Sequence, residues 1–296
     1  MKISILTPTY NRAQELKNLH ESISRNLKNC YVDHEWLIMD DGSNDNTEQV
    51  VENFKKNTTV NIKYYKQENK GKMQAINNLI PNITGDVSLD CDSDDILSEN
   101  CFKIIKDNYY LFEQDKSLYA LVFIRKMKDS IKENDNSYKT KMFDLYFKNN
   151  FQGETAIVFK SNIRKEYVHE LEKNEKFITE ARMYHKMDLQ YNIMFFYKNI
   201  QQGEYLQNGY TKNINELFKS NPFGYYEYFK EIFYHNMKGV TFKKRMYVYK
   251  HYILFSCLIN QLHPIKNVTG LVNKAMVALL YVPGKIKVAV SQWNKA

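Results

Sequence analysis

Cysteine is scarce in this chain of 296 residues. Its four copies, Cys30, Cys91, Cys101 and Cys257, show neither the close pairs of a metal site nor the rhythm of a disulfide framework. A reducing, cytosolic setting is therefore expected. Long apolar runs are missing too. The longest uncharged apolar stretch near the end, Ala275 to Gly284, is far shorter than the roughly 20 residues a membrane span needs. The chain opens directly into a strand-like run, which predicts no signal peptide. Internal repeats and nucleic-acid-binding motifs are absent from the sequence.

Acidic residues are missing from one region. Between Ile232 and Ala296 there are ten lysines and arginines and no aspartate or glutamate. The formal charge of +8 therefore belongs to the C-terminal segment, because the remainder holds 32 basic against 34 acidic residues. That asymmetry points to an anionic surface as partner for the tail and speaks against a nucleic-acid-binding protein.

What is present is an alternation of short apolar runs with amphipathic ones. Strands are expected at Ile3–Leu6, Trp36–Met39, Val60–Tyr65 and Val87–Leu89, and helices at Ala13–Leu27, Asp45–Phe54, Lys72–Leu79 and Glu99–Phe112. Such alternation predicts an α/β fold with a mostly parallel central sheet flanked by helices, whose ligands gather at the carboxyl ends of the strands. Further on, strands are expected at Leu118–Ile124, Thr155–Phe159 and Ile193–Tyr197, a loop over Asp129–Thr140 and a helix over Phe177–Met187. Beyond Asn213 the pattern turns to helix after helix.

Four polar motifs follow the expected strands. The most informative is Asp90-Cys91-Asp92-Ser93-Asp94-Asp95, four carboxylates within six residues. Holding them together at a strand end is costly unless a divalent cation, with a phosphate bound through it, supplies positive charge. A solvated acidic turn is the competing reading. Asp40-Asp41-Gly42-Ser43 follows the second strand, where a carboxylate can accept from the imide of uracil or from ribose, and Asp45 with Glu48 reads as a capping box. Glu68-Asn69-Lys70-Gly71-Lys72 opens the third helix, where glycine allows close approach of a diphosphate and a lysine neutralises it. Thr7-Pro8-Thr9-Tyr10-Asn11-Arg12 follows the first strand, and its aromatic can cover the face of a base.

Together these segments, with Gly85-Asp86 ahead of the acidic cluster, resemble the inverting family 2 glycosyltransferases of the GT-A fold, in particular those of bacterial capsule and surface-polysaccharide synthesis. The resemblance implies a Rossmann-like nucleotide-binding sheet with a C-terminal helical extension. It implies a GT-A domain over 1–212, with a nucleotide-sugar half at 1–115 and an acceptor half at 116–212, and a helical basic region at 213–296. Thr7, Pro8, Thr9, Tyr10, Arg12, Asp41, Asn69, Lys72, Asp92 and Ser93 would hold the nucleotide. Asp92-Ser93-Asp94 becomes the DXD motif, with Asp92 and Asp94 on Mn²⁺ or Mg²⁺ and Asp90 an extra carboxylate. Glu180 falls where the family places its catalytic base, although Thr179 stands where the family's Glu-Asp pair would begin. Gly203-Glu204-Tyr205 and Gly209-Tyr210-Thr211 resemble a loop near the donor phosphates.

The implied partners are a nucleotide-sugar donor and a glycan or lipid-linked saccharide acceptor. The implied location is the cytoplasm, peripheral to the inner face of the plasma membrane through the basic tail, and a homodimer is compatible with the aromatic helices. Two other readings also put carboxylates on such a fold. A nucleotidyltransferase would release pyrophosphate, and an inactive sugar-nucleotide-binding relative would release nothing.

Overall fold

The structure is a computed structural model, and it describes residues 1–126, 132–172, 174–203 and 214–293. In chain order the elements are β1 (Lys2–Thr9), α1 (Ala13–Asn29), β2 (Asp33–Asp40), α2 (Thr47–Asn57), β3 (Ile62–Lys66), α3 (Lys72–Leu79), β4 (Val87–Asp90) and β5 (Ile96–Leu97). Then come α4 (Cys101–Asn108), α5 (Leu111–Gln114), β6 (Leu118–Lys126), β7 (Ser137–Thr140), α6 (Met142–Phe147), β8 (Glu154–Lys160) and α7 (Ser161–Arg164). The last are α8 (Ala181–Met187), β9 (Asn192–Gln202), α9 (Ile214–Ser220), α10 (Pro222–Glu231), α11 (Phe242–Leu258) and α12 (Leu271–Trp293).

Two compact units interleave along the chain. The first comprises 1–142, 152–169 and 190–207, the second 143–151, 170–189 and 208–296. The boundary expected at 212 lies outside the described residues.

The first unit is built on one sheet ordered β3-β2-β1-β4-β8-β6-β9-β5, with β7 added on β9. The expected parallel arrangement runs through β3-β2-β1-β4. Antiparallel β8 joins β4 to β6, and β6 and β9 are parallel again. The apolar runs that predicted β1, β2 and β4 are buried on both faces, as a sheet covered by helices requires. Leu16, Leu19, Ile23 and Leu27 form the buried stripe of α1. Two polar residues on the same face do more than pack. Ser22 Oγ accepts from Leu97 N at 3.0 Å, and Asn26 donates to Ser98 O at 2.8 Å and accepts from Phe102 N at 3.1 Å. Helix α1 thereby fixes the chain just beyond the acidic cluster.

Several local expectations need correction. The helix expected over Glu99–Phe112 is two, α4 and α5, interrupted at Tyr109 and Tyr110. The loop expected over Asp129–Thr140 ends in strand β7, paired antiparallel with β9, with the Tyr138 ring edge-on to Phe195. The helix expected from Phe177 starts only at Ala181. Phe177 N is held by Asn221 Oδ1 at 3.1 Å, and β-branched Ile178 and Thr179 are weak helix formers. Asp45 stands one residue ahead of Asn46, the N-cap of α2. Its carboxylate still satisfies the first helical N–H, that of Thr47, and accepts from Thr47 Oγ1 and Ala13 N as well.

The second unit is helical. Tyr225, Tyr226, Phe229, Phe233, Tyr249, Tyr252 and Phe255 form its buried centre. Arg182, nearly buried, is held by Glu170, Glu172 and Glu231, which satisfies the charge that burial would otherwise penalise.

Candidate active site

The expected nucleotide residues converge at the carboxyl ends of β1, β2 and β4. Thr7, Pro8 and Thr9 close β1 opposite Ile38, Met39 and Asp40 of β2. Thr7 is fully buried and its hydroxyl accepts from Trp36 Nε1 at 2.9 Å, so its side chain serves the core. Tyr10, by contrast, leaves the sheet and is 44% exposed. Arg12 precedes α1 and pairs with Glu15 at 3.1 Å.

Asp41 is bonded to β1 through its backbone, Asp41 N donating to Thr9 O at 2.8 Å. Its carboxylate accepts from Gln67 Nε2 at 2.7 Å and from Lys70 N and Gly71 N at 2.8 Å. Of its roughly four acceptor sites about one remains for a ligand. Gly71, at φ +91°, takes a left-handed conformation that aims its N–H at Asp41 and starts α3 with Lys72. Asn69 lies exposed on the same loop, with its backbone against Gly42. Asp40 is fully buried, accepting from Ser43 N at 2.7 Å and Tyr64 Oη at 2.5 Å.

Lys72 Nζ sits 2.8 Å from both carboxylate oxygens of Asp92, joining the third motif to the acidic turn. Within that turn Asp95 N donates to Asp92 O at 3.0 Å, and Ser93 is buried. Burial raises the Asp94 carboxyl, and the charge of Asp92 adds to it, while Arg12 and Lys72 pull the other way. The turn is therefore short of positive charge. Among the described residues no group of three or more His, Cys, Asp or Glu side chains is arranged to hold a metal. Two carboxylates in a charge-deficient turn fit an ion that draws its other ligands from substrate phosphates and water, as Mg²⁺ commonly does.

Asp90 faces a different partner. Its Oδ2 lies 3.3 Å from Nη2 of Arg164, a fully buried guanidinium set over the Phe159 ring. His169, almost fully buried, is pinned through its backbone by two 2.8 Å hydrogen bonds with Asn77. Burial, with Arg164 and Lys72 close by, drives its pKa well down and keeps the ring neutral.

The sequence reading missed a network behind the acidic turn. Asp95, 1% exposed, receives Arg125 Nε at 3.0 Å, Arg125 Nη2 at 2.5 Å and Gln201 Nε2 at 2.5 Å. Arg125 Nη1 also donates to Glu154. Burial, with the charge of Asp92, pushes the Asp95 carboxyl up to about 6, and the Arg125 fork and Gln201 offset only part of that rise. The one visible signal was a charge closing the apolar run of β6.

Glu180 belongs to the second unit, half-buried at the position before α8, with Tyr184 Oη donating to its Oε2 at 3.4 Å. Its segment is braced by Glu175, whose carboxylate accepts from Phe223 N and Gly224 N, each at 2.7 Å, at the start of α10. Gly203 is described; Glu204, Tyr205, Gly209, Tyr210 and Thr211 lie outside the described residues.

Comparison with known proteins bears on this arrangement. The family model described as Glycosyl transferase family 2 matches residues 4–172. A Mycoplasma genitalium protein described as uncharacterized glycosyltransferase MG060 is 25% identical over 237 residues, 78% of this chain and 71% of that protein. Its Mycoplasma pneumoniae homolog is 36% identical over 103 residues, and the match spans 34% of that protein's length. Among solved structures, S. aureus TarS 1–349 in complex with UDP-GlcNAc has a TM-score of 0.62 at 14% identity, covering 100% of this chain and 92% of that one. Mannosyltransferase PcManGT from Pyrobaculum calidifontis, in complex with GDP-Man and Mn²⁺, has a TM-score of 0.58 at 14% identity, covering 97% and 83%. Identities this low speak for the fold, and the fold is the GT-A α/β architecture.

Proposed function

Because the chain belongs to glycosyl transferase family 2, we propose that it moves a sugar from a nucleoside diphosphate sugar, a UDP-sugar first of all, to a hydroxyl of a glycan or lipid-linked acceptor. Transfer inverts the anomeric centre and serves the building of surface polysaccharide. The observation that carries the reading is the Lys72–Asp92 pair beside the half-buried, charge-deficient Asp94. Structures of the same fold, with UDP-GlcNAc or with GDP-Man and Mn²⁺, support a sugar nucleotide as ligand.

In this proposal the exposed Tyr10 ring covers the base, with Pro8, Thr9 and the remaining acceptor site of Asp41 around the nucleoside. Thr7 contributes through its place at the end of β1. Arg12, Asn69, Lys72 and Ser93 surround the phosphates. Asp94, with Asp92, would hold Mn²⁺ or Mg²⁺, which when bound supplies positive charge toward the departing nucleoside diphosphate. Lys72 brings an ammonium to the same place. Glu180 takes the proton of the acceptor hydroxyl, whose oxygen bonds to the anomeric carbon as the bond to the diphosphate oxygen breaks. Residues 1–115 thus serve the donor and 116–212 the acceptor, with 213–296 as a helical basic extension. A lipid-linked acceptor would be met at an anionic membrane face on the cytoplasmic side.

The test is isothermal calorimetry of the full chain against UDP-GlcNAc, UDP-glucose and GDP-mannose, with and without Mn²⁺, followed by product analysis. Metal-assisted uptake of one donor and release of its nucleoside diphosphate are expected. Pyrophosphate release from a nucleoside triphosphate would support a nucleotidyltransferase, and no uptake of any sugar nucleotide would end the reading.

A further inference from the structure

Helix α12 (Leu271–Trp293) is packed from one side. Val277 is fully buried, and Met276, Leu280 and Tyr281 pack against the aromatic centre of the second unit. The opposite side is also apolar. Leu271 is 86% exposed, Val272 72%, Leu279 69% and Val282 64%. Ala275 and Ala278 are exposed between them. At helical spacing Leu271, Ala275, Ala278 and Val282 fall on one line, with Val272 and Leu279 alongside. A stripe of this length is unfavourable in water and marks a surface that something covers.

The charge of the region indicates what covers it. Lys266 and Lys274 are exposed at and before the helix, and no acidic residue occurs from Ile232 onward. A second copy would set cations against cations, whereas an anionic surface matches both the stripe and its surroundings. Among the described residues no helix is long and apolar enough to cross a membrane, so α12 would lie along a bilayer.

We propose that this face of α12 is a membrane-contact surface. Leu271, Val272, Leu279 and Val282 enter the boundary between headgroups and acyl chains, and Lys266 and Lys274 sit over the anionic headgroups. The inference deepens the reading of a lipid-linked acceptor but requires no transferase chemistry, and its assay contains no sugar nucleotide.

Full-length protein is sedimented with vesicles of phosphatidylglycerol mixed into phosphatidylcholine, and with phosphatidylcholine alone. Binding is expected only to the anionic vesicles, weakened by high salt. Replacing Lys274 by Ala should lower affinity about fivefold. The double variant Val272→Glu/Leu279→Glu should lower it about tenfold or more while thermal unfolding stays unchanged, because both positions are exposed. Equal binding of the double variant and the parent protein would overturn the proposal. So would a dimer seen by light scattering that the double variant abolishes, since that assigns the stripe to a second copy.

Discussion

Arg125 grips Asp95 with both arms of its guanidinium fork, at 3.0 and 2.5 Å, directly behind the turn that carries Asp92 and Asp94. A carboxylate 1% exposed is tolerated there because a planar, always-charged partner satisfies it. The contact ties the acidic turn to β6 and, through Glu154 and Gln201, to β8 and β9. Removing the fork leaves a buried carboxylate without its cation. Arg125→Ala should therefore destabilise the protein by about 3–5 kcal/mol. Arg125→Lys, which keeps the charge but not the fork, should still lose affinity for Mn²⁺ and donor. Urea unfolding and donor calorimetry check the two effects separately.

Gly203 is the complement of that pair. A Cβ at this position would stand 2.3 Å from both Arg125 Nη2 and Asp95 Oδ1. These are side-chain ends, but each is fixed by the other and cannot simply step aside. Gly203→Ala should cost about 1–3 kcal/mol. In Arg125→Ala the Nη2 obstruction is gone and Asp95 is no longer pinned by the fork, so the double variant should be less destabilised than the sum of the singles. A double-mutant cycle measures the difference.

The acidic turn, the strand ends and the start of α3 were legible because the chemistry there is local. Asp92, Asp94 and Lys72 stand beside the signals that end strands and open helices, and four ordered motifs reinforce one another. Arg125 was not legible, because a charge closing an apolar strand acquires its meaning only from the register that sets β6 beside β8 and β9. The start of α8 was misread for the same reason. Phe177 continues the helical spacing of the residues after it, yet its N–H goes to Asn221 of a distant segment. Asp90 reads in the sequence as one carboxylate too many because its partner Arg164 lies 74 residues on.

His185 makes the second unit sensitive to acid. Its ring is buried against Phe143, Tyr228 and His235, and its Nδ1 has no hydrogen-bond partner among the described residues. Burial, with the charge of His235 added, lowers its pKa from 6.5 to about 3. Below pH 6.5 the unfolded chain binds a proton there that the folded chain refuses. The stabilising contribution is thus complete above pH 6.5 and is lost as pH falls toward 3, at a slope of about 1.4 kcal/mol per pH unit. His185→Phe should flatten that part of the stability profile and unfold later than the parent at pH 5. Urea midpoints at pH 7, 6, 5 and 4 would show it, and parallel profiles for the two proteins would refute it.

Glu180 and Glu175 lie five residues apart and should separate chemistry from scaffolding. Glu175 lends its carboxylate to two N–H groups at the start of α10, where a helix leaves donors unsatisfied and its dipole favours negative charge. Glu175→Ala should cost about 1–2 kcal/mol of stability. Any loss of turnover in that variant should come with a lower unfolding midpoint. Glu180 accepts a long contact from Tyr184, and glutamine keeps an acceptor oxygen of the same reach, so Glu180→Gln should leave the unfolding free energy within about 0.5 kcal/mol of the parent. Turnover should nevertheless fall about 10²- to 10⁴-fold if its carboxylate removes the acceptor proton. Donor affinity should hold, because no part of the proposed nucleotide set is altered. Steady-state kinetics, donor calorimetry and urea unfolding on both variants decide the matter: a Glu180→Gln enzyme that turns over normally would move the base to another residue.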